Sequence, residues 1–167
     1  MSTLEVGKGK IRVATEGDRE GVRRLINAAF EVERFLKKGG GDRLQNDGEY
    51  EAVWERGTFL VKEKEGALLG CVCVELRGDR AYLGLLSIDP ARQGAGLGRH
   101  LNAAAEGYAR EQGARWMDLR VVSPREEQLV PIYTKLGYAV TGREEYPEWL
   151  AAKMALPGYF ILMAKAL

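Results

Sequence analysis

Six residues, Gln93-Gly94-Ala95-Gly96-Leu97-Gly98, carry the most chemical information in this 167-residue chain. Glycines let a backbone approach a ligand closely and take dihedrals that other residues resist. Where such a loop opens a helix, unpaired N–H groups and the positive end of the helix dipole together favour a phosphate. Arg92 and Arg99 flank the loop and add positive charge. A Rossmann fingerprint counted from Gly94 and Gly96 would need glycine where Arg99 stands, and a Walker loop would continue past Gly98 into Lys rather than Arg99-His100. A tight strand-to-helix turn would use the same glycines with no ligand at all. The other reactive side chains point less far. Cys71 and Cys73 stand two apart in a β-like run and so share one strand face, a poor spacing for a mutual disulfide. With His100 the only histidine, there is no zinc constellation. The two cysteines read as small core residues, and His100, one step inside a helix, as a surface or cofactor-rim residue.

Such a loop needs a strand to leave and a helix to open, and the flanking sequence supplies both. Ile11–Val13 reads as a first strand, with Thr15 as an N-cap and Asp18 in an acidic first turn. Val22, Leu25, Ile26, Ala29 and Phe30 follow at helical spacing. After the break at Lys37-Lys38-Gly39-Gly40-Gly41, a solvated helix end, Leu44 to Trp54 reads as a second, weaker helix. Thr58–Lys62, Ala67–Leu76 and Ala81–Ile88 are strand-like runs joined by the turns Glu65-Gly66 and Gly78-Asp79, an antiparallel meander. The helix opened by the loop carries Leu97, Leu101, Ala104, Ala105 and Tyr108 on one face and stops at Gly113. Trp116–Val122 is a fifth strand. Pro131 cannot sit deep inside a helix, so the helix bearing Ile132, Tyr133 and Leu136 is predicted to start near Leu129 or Val130 and to end at Gly137. Tyr138–Arg143 and Tyr159–Lys165 supply the last strands, with a helical segment across Glu148–Leu156. The reading is a single α/β domain over residues 1–167, with a mixed, mostly antiparallel sheet flanked by helices.

Charge narrows the partners. Twenty-five Lys and Arg against 24 Asp and Glu leave a formal +1, without the concentrated basic face that nucleic acid or an anionic membrane demands. No apolar run approaches the ~20 residues that cross a bilayer. Met1 to Arg12 is polar and lacks a secretory core. These features point to a reduced intracellular, cytoplasmic protein.

Two separated motifs, in this order, resemble those of the GNAT family of N-acetyltransferases. The family's coenzyme A loop follows Arg/Gln-x-x-Gly-x-Gly/Ala, which Gln93, Gly96 and Gly98 fill without a gap. Leu86-Ser87-Ile88-Asp89-Pro90 resembles its fourth strand and the turn into that loop. Pro131-Ile132-Tyr133-Thr134-Lys135-Leu136-Gly137-Tyr138 resembles its late signature of tyrosine, a basic residue, and glycine before an aromatic. A looser likeness spans Ile11 to Leu167.

The resemblance implies an acyl-CoA N-acyltransferase fold whose sheet splays between the fourth and fifth strands. It implies acetyl-CoA as cosubstrate and no metal. The pantetheine arm would lie along the backbone of Leu86, Ser87 and Ile88, and the pyrophosphate on the N–H groups of Gln93, Gly94, Ala95, Gly96, Leu97, Gly98 and Arg99. Tyr133 falls where the family's proton donor to the departing thiolate stands. Two positions depart from the pattern. Glu126 occupies a site that is asparagine in many relatives, and Gly84 the site of the histone-type glutamate base, which leaves Glu75 near the end of the third strand, or water, as base. The implied reaction is direct transfer of acetyl to an amine. Transfer of a longer acyl group, and a non-catalytic acyl-CoA sensor or partner module, are the other readings. The acceptor would be shaped by residues 31–56 and 143–158, whose mixed charges leave a small amine, an amino acid, a peptide N-terminus and a protein lysine all open. A homodimer is compatible with this reading.

Overall fold

The computed structural model describes residues 10–167 and the backbone of Leu4–Glu5. Most of the polar stretch Met1–Arg12 lies outside the described residues. Seven principal strands follow in chain order: β1 (Lys10–Val13), β2 (Thr58–Lys64), β3 (Ala67–Arg77), β4 (Arg80–Ile88), β5 (Trp116–Val122), β6 (Ala139–Glu145) and β7 (Tyr159–Ala166). They form one sheet in the order β1-β2-β3-β4-β5-β7-β6, with Leu4–Glu5 paired outside β1. Every neighbouring pair is antiparallel except β4 with β5. The mixed, mostly antiparallel α/β architecture expected from the sequence is the one observed.

Both faces of the central strands are buried, which is why β2 and β3 read as continuous apolar runs. The period of two sorts them. Leu60, Val72, Val74, Ala81 and Leu83 pack under α3 (Leu97–Glu111) and α4 (Glu126–Lys135), while Phe59, Val61, Cys71 and Cys73 pack under α1 (Arg19–Ala29) and α2 (Asp47–Arg56). The expected stripe of α1 is seen, with Val22, Leu25 and Ile26 buried. A third cluster, Leu36, Tyr146, Met154 and Phe160, closes the end of the molecule beside the last strands.

Three helix boundaries differ from expectation. The second helix begins at Asp47 rather than Leu44, because the amide and carbonyl of Leu44 are bound to the Asn27 side chain on α1 at 2.8 and 3.3 Å. Asn46 then caps the helix by accepting from the Glu49 N–H at 2.7 Å. The helix bearing Tyr133 starts at Glu126, with Pro131 in its interior. Proline removes one donor, that toward the Glu127 carbonyl, and both residues are exposed, so water can take the freed group. Of the segment 148–156, only Glu148–Ala151 (α5) is helical. Beyond it tertiary pairing wins: Met154 bridges Lys37, and the Ala155 N–H donates to the Leu36 carbonyl at 2.8 Å.

Candidate functional site

The parallel pair β4–β5 is short. It runs only through Arg80↔Trp116, Ala81↔Met117 and Tyr82↔Asp118, clamped by two Arg80–Asp118 hydrogen bonds of 2.7 and 2.6 Å. Beyond Tyr82 the strands separate, and the β4 edge from Leu83 to Ile88 has no strand partner on that side. A bulge lies along that edge. The β3–β4 register slips between Cys71↔Ser87 and Cys73↔Gly84, which sets Leu85 and Leu86 opposite Val72. Leu85 sits at φ 52°, a left-handed conformation that non-glycine residues rarely hold outside sites that require it. Its carbonyl accepts from the Ser87 hydroxyl at 2.9 Å, and Ser87 is itself buried. The unpaired backbone edge at Leu86, Ser87 and Ile88 is the kind to which an extended arm can add as a strand.

The glycine loop stands at the end of that edge. Asp89 accepts from the Ala91 N–H at 3.0 Å and starts a short 3-10 turn, Pro90–Arg92. Gly94 and Gly96 have φ 90° and 77°, and Gly96 is the N-cap of α3. The first α3 bond is His100 N–H to Gly96 O, 3.2 Å, so the N–H groups of Leu97, Gly98 and Arg99 have no acceptor within the helix. A Cβ at Gly94 or Gly98 would meet no atom within 4 Å. The space over these donors is open, and Gln93, Arg92 and Arg99 are exposed around it. Unpaired donors, helix dipole and open glycine surface together fit a pyrophosphate. Gly70 sets the helix against the sheet, since a Cβ there would lie 2.7 Å from Leu101 Cδ1.

Tyr133 lies in the last turn of α4. That turn ends in a Schellman motif, with Tyr138 N–H donating to Tyr133 O and Gly137 N–H to Thr134 O, both at 3.0 Å, and Gly137 at φ 100°. The Tyr133 ring meets Tyr138 edge to face, with centroids 6.0 Å apart. A buried network anchors Tyr138: its hydroxyl lies 3.0 Å from Asn102 Oδ1 and 3.1 Å from Glu106 Oε2, and Lys165 bonds Glu106 and the Leu136 carbonyl at 2.8 Å each. The Tyr133 hydroxyl itself makes no hydrogen bond to a described residue. Burial, then the nearby Glu33 and Tyr82, push its pKa up to about 12. The phenol is therefore a protonated donor at neutral pH.

The other candidates fall outside this arrangement. Glu75 lies on β3 opposite Tyr82, with its carboxylate 3.3 Å from Arg77 and 3.7 Å from Arg56. Cys71 and Cys73 are free and buried, and desolvation holds both thiols far above their ordinary pKa, Cys73 at about 12. Such thiols are poor nucleophiles. His100 is half-buried with an unpartnered Nδ1, and burial lowers its pKa. Among the described residues no group of His, Cys, Asp and Glu is placed to hold a metal ion, and no described helix is long and apolar enough to cross a membrane.

A second ion pair at the open end of the gap was not singled out by spacing. Glu33 and Arg125, 92 positions apart in sequence, meet at 2.6 Å. Glu33 sits in a 3-10 helix, Phe30–Leu36, and Arg125 immediately after the end of β5. The available signal was the Phe30, Glu33, Leu36 spacing of three, which puts a carboxylate on the inward face of such a helix.

The family model for the acetyltransferase (GNAT) family matches residues 20–138. No curated protein matches the sequence. Among solved structures, yncA of Salmonella typhimurium, determined with its cofactor acetyl-CoA, is 22% identical, with a TM-score of 0.72 over 96% of this chain and 95% of that one. The GNAT domain of S. lividans PAT gives a TM-score of 0.74 at 14% identity, covering 99% of this chain and 97% of that one. The ribosomal-protein-S18-alanine N-acetyltransferase of Escherichia coli gives 0.69 at 18%, covering 93% and 92%.

Proposed function

Because this chain belongs to the acetyltransferase (GNAT) family, we propose that it transfers acetyl from acetyl-CoA directly to a primary amine. One observation carries this reading. An unpartnered strand edge, a helix start with free N–H groups and a protonated phenol all border the gap between β4 and β5.

Acetyl-CoA supplies an acyl carbon already activated as a thioester. The N–H groups of Leu97, Gly98 and Arg99 hold the pyrophosphate, and the guanidinium groups of Arg92 and Arg99 add charge at its rim. The backbone of Leu86, Ser87 and Ile88 fixes the pantetheine arm and thereby the thioester against the acceptor. Positioning alone supplies a large share of such a rate. Tyr133, raised well above neutrality, donates its proton toward sulfur as the thiolate leaves.

The test follows free thiol released from acetyl-CoA with a panel of primary amines. Amine-dependent release together with an acetylated amine supports the reading. Binding of acetyl-CoA without release under any amine would assign a sensor. Faster release from a longer acyl-CoA than from acetyl-CoA would reassign the donor.

A further inference from the structure

We propose that Glu33, held in place by Arg125, is the carboxylate that receives the acceptor's ammonium group and takes its proton. The inference rests on the transferase reading and assigns the acceptor side of the same site.

The geometry is specific. A 3-10 helix repeats every three residues, so Phe30, Glu33 and Leu36 share one face of the Phe30–Leu36 segment. Leu36 is buried on that face. Phe30 packs with the α1 cluster and Leu36 with the cluster beside the last strands, so Glu33 lies between the two, against Arg125. The side chains of Glu33 and Arg125 are only 19% and 18% exposed. Taking two charges this far out of water is costly, and apolar residues would close the same gap at least as well.

Only half of the carboxylate is occupied. Arg125 Nη1 bonds Oε2, while Oε1 receives no hydrogen bond from any described residue and is not among the buried unpartnered atoms. Arg125 therefore fixes the plane of the carboxylate and leaves one oxygen open. The charged and titratable groups around Glu33 come from four elements: Arg125, Arg43 in the loop before α2, Tyr133 on α4, and Tyr146 after β6. Tyr146 is 9% exposed, and its hydroxyl is buried without a partner. Burial raises the pKa of Glu33 against the opposing pull of Arg125 and Arg43. The site thus holds a protonated phenol and a carboxylate with one open oxygen, a proton donor and a proton acceptor.

The proton count closes. An ammonium, R–NH3+, gives one proton to Glu33, which passes it to solvent. The freed nitrogen lone pair forms the C–N bond while the C–S bond breaks, with its electron pair going to sulfur. Sulfur takes the Tyr133 proton, and the second proton lost from nitrogen restores Tyr133. The products are amide, free thiol and one proton in solution.

The test uses tyramine, putrescine and a lysine amide blocked at its α-nitrogen. In Glu33→Gln, kcat/KM for the best of these at neutral pH is expected to fall ~100-fold, the lower end of general-base effects. The deficit should shrink as pH approaches the pKa of the amine, because solvent then supplies neutral nucleophile. Calorimetric affinity of that amine for the complex with coenzyme A should drop about tenfold, as expected for loss of one charge-assisted hydrogen bond. Affinity for coenzyme A itself should be unchanged. Glu33→Asp keeps the charge and should retain the pH profile with a smaller loss. A folded Glu33→Gln with full turnover overturns the inference, as does a loss independent of pH that tracks melting temperature. If Gln does not fold, an Asp variant with the wild-type rate overturns it. Absence of thiol release from the wild type with every amine removes the transferase reading and this inference with it.

Discussion

Tyr133 shows how one residue type acquires a role from its surroundings. Its ring is fixed against Tyr138 while its hydroxyl is left without a bond to a described residue. Tyr133→Phe keeps that edge-to-face contact, so melting temperature should hold and KM for acetyl-CoA should change little. The thiolate is a fair leaving group at neutral pH, so we expect kcat to fall by ~100-fold rather than more. Paired kcat and melting measurements on one preparation decide it: full turnover in the folded variant would leave proton delivery to water. At this scale the sequence was informative where a residue belonged to a motif and silent where it did not. Gln93, Gly96, Gly98 and Tyr133 stood out because they fill motifs that resemble the family's. The Glu33–Arg125 pair did not, because a contact across 92 positions leaves no pattern that joins its partners, only the spacing of Phe30, Glu33 and Leu36.

Elements were legible wherever period and punctuation agreed. Trp116–Val122 runs between the residues expected, and Gly113 and Gly137 stop their helices at φ 92° and 100°. Two of the three boundary errors lie where a tertiary bond replaced a local one. Leu44 is tied to Asn27 instead of joining a helix, and Met154 bridges Lys37 instead of extending one. The Leu85 bulge is invisible in sequence, since leucine carries no preference for positive φ. The joint between β3 and α3 makes a prediction. In Gly70→Ala the new methyl would stand 2.7 Å from Leu101 Cδ1, 2.9 Å from Ile88 Cδ1 and 3.0 Å from the Ser87 carbonyl oxygen. Overpacking of this kind costs ~1–3 kcal/mol. Because Ser87 and Ile88 border the gap, coenzyme A affinity should fall as well. Urea unfolding and calorimetry on the variant test both effects, and an unchanged unfolding midpoint would refute the tight joint.

For the molecule as a whole, two helical layers and a sheet that opens at one end leave the site at a seam between separately packed cores. Strand β1 is tied to the start of α1 and to β2 by charge. Arg12 bonds Asp18 at 2.6 and 3.0 Å and Glu63 at 2.9 Å, and Asp18 also accepts from the Thr15 N–H at 2.7 Å. The Arg12 guanidinium holds the Asp18 carboxyl at about 2, down from its ordinary 3.8. A carboxyl depressed in the folded state stabilises it above the unfolded pKa, and that contribution is lost as pH falls toward the folded one. Melting temperature should therefore drop between about pH 4 and pH 2, and Asp18→Asn should flatten the drop while lowering stability at neutral pH. Equal acid sensitivity in the variant would place the linkage elsewhere.

Every role assigned to the donor's binding begins at the start of α3. Calorimetric titration of coenzyme A into the wild type and into Gly96→Glu tests it most directly. At Gly96 a glutamate would bring a carboxylate to the open N–H groups of the helix, in the space given to the pyrophosphate. Saturable binding is expected for the wild type and none for a Gly96→Glu variant whose circular dichroism and cooperative melting show it folded. Equal affinity in the two proteins, or no binding by the wild type, would contradict it.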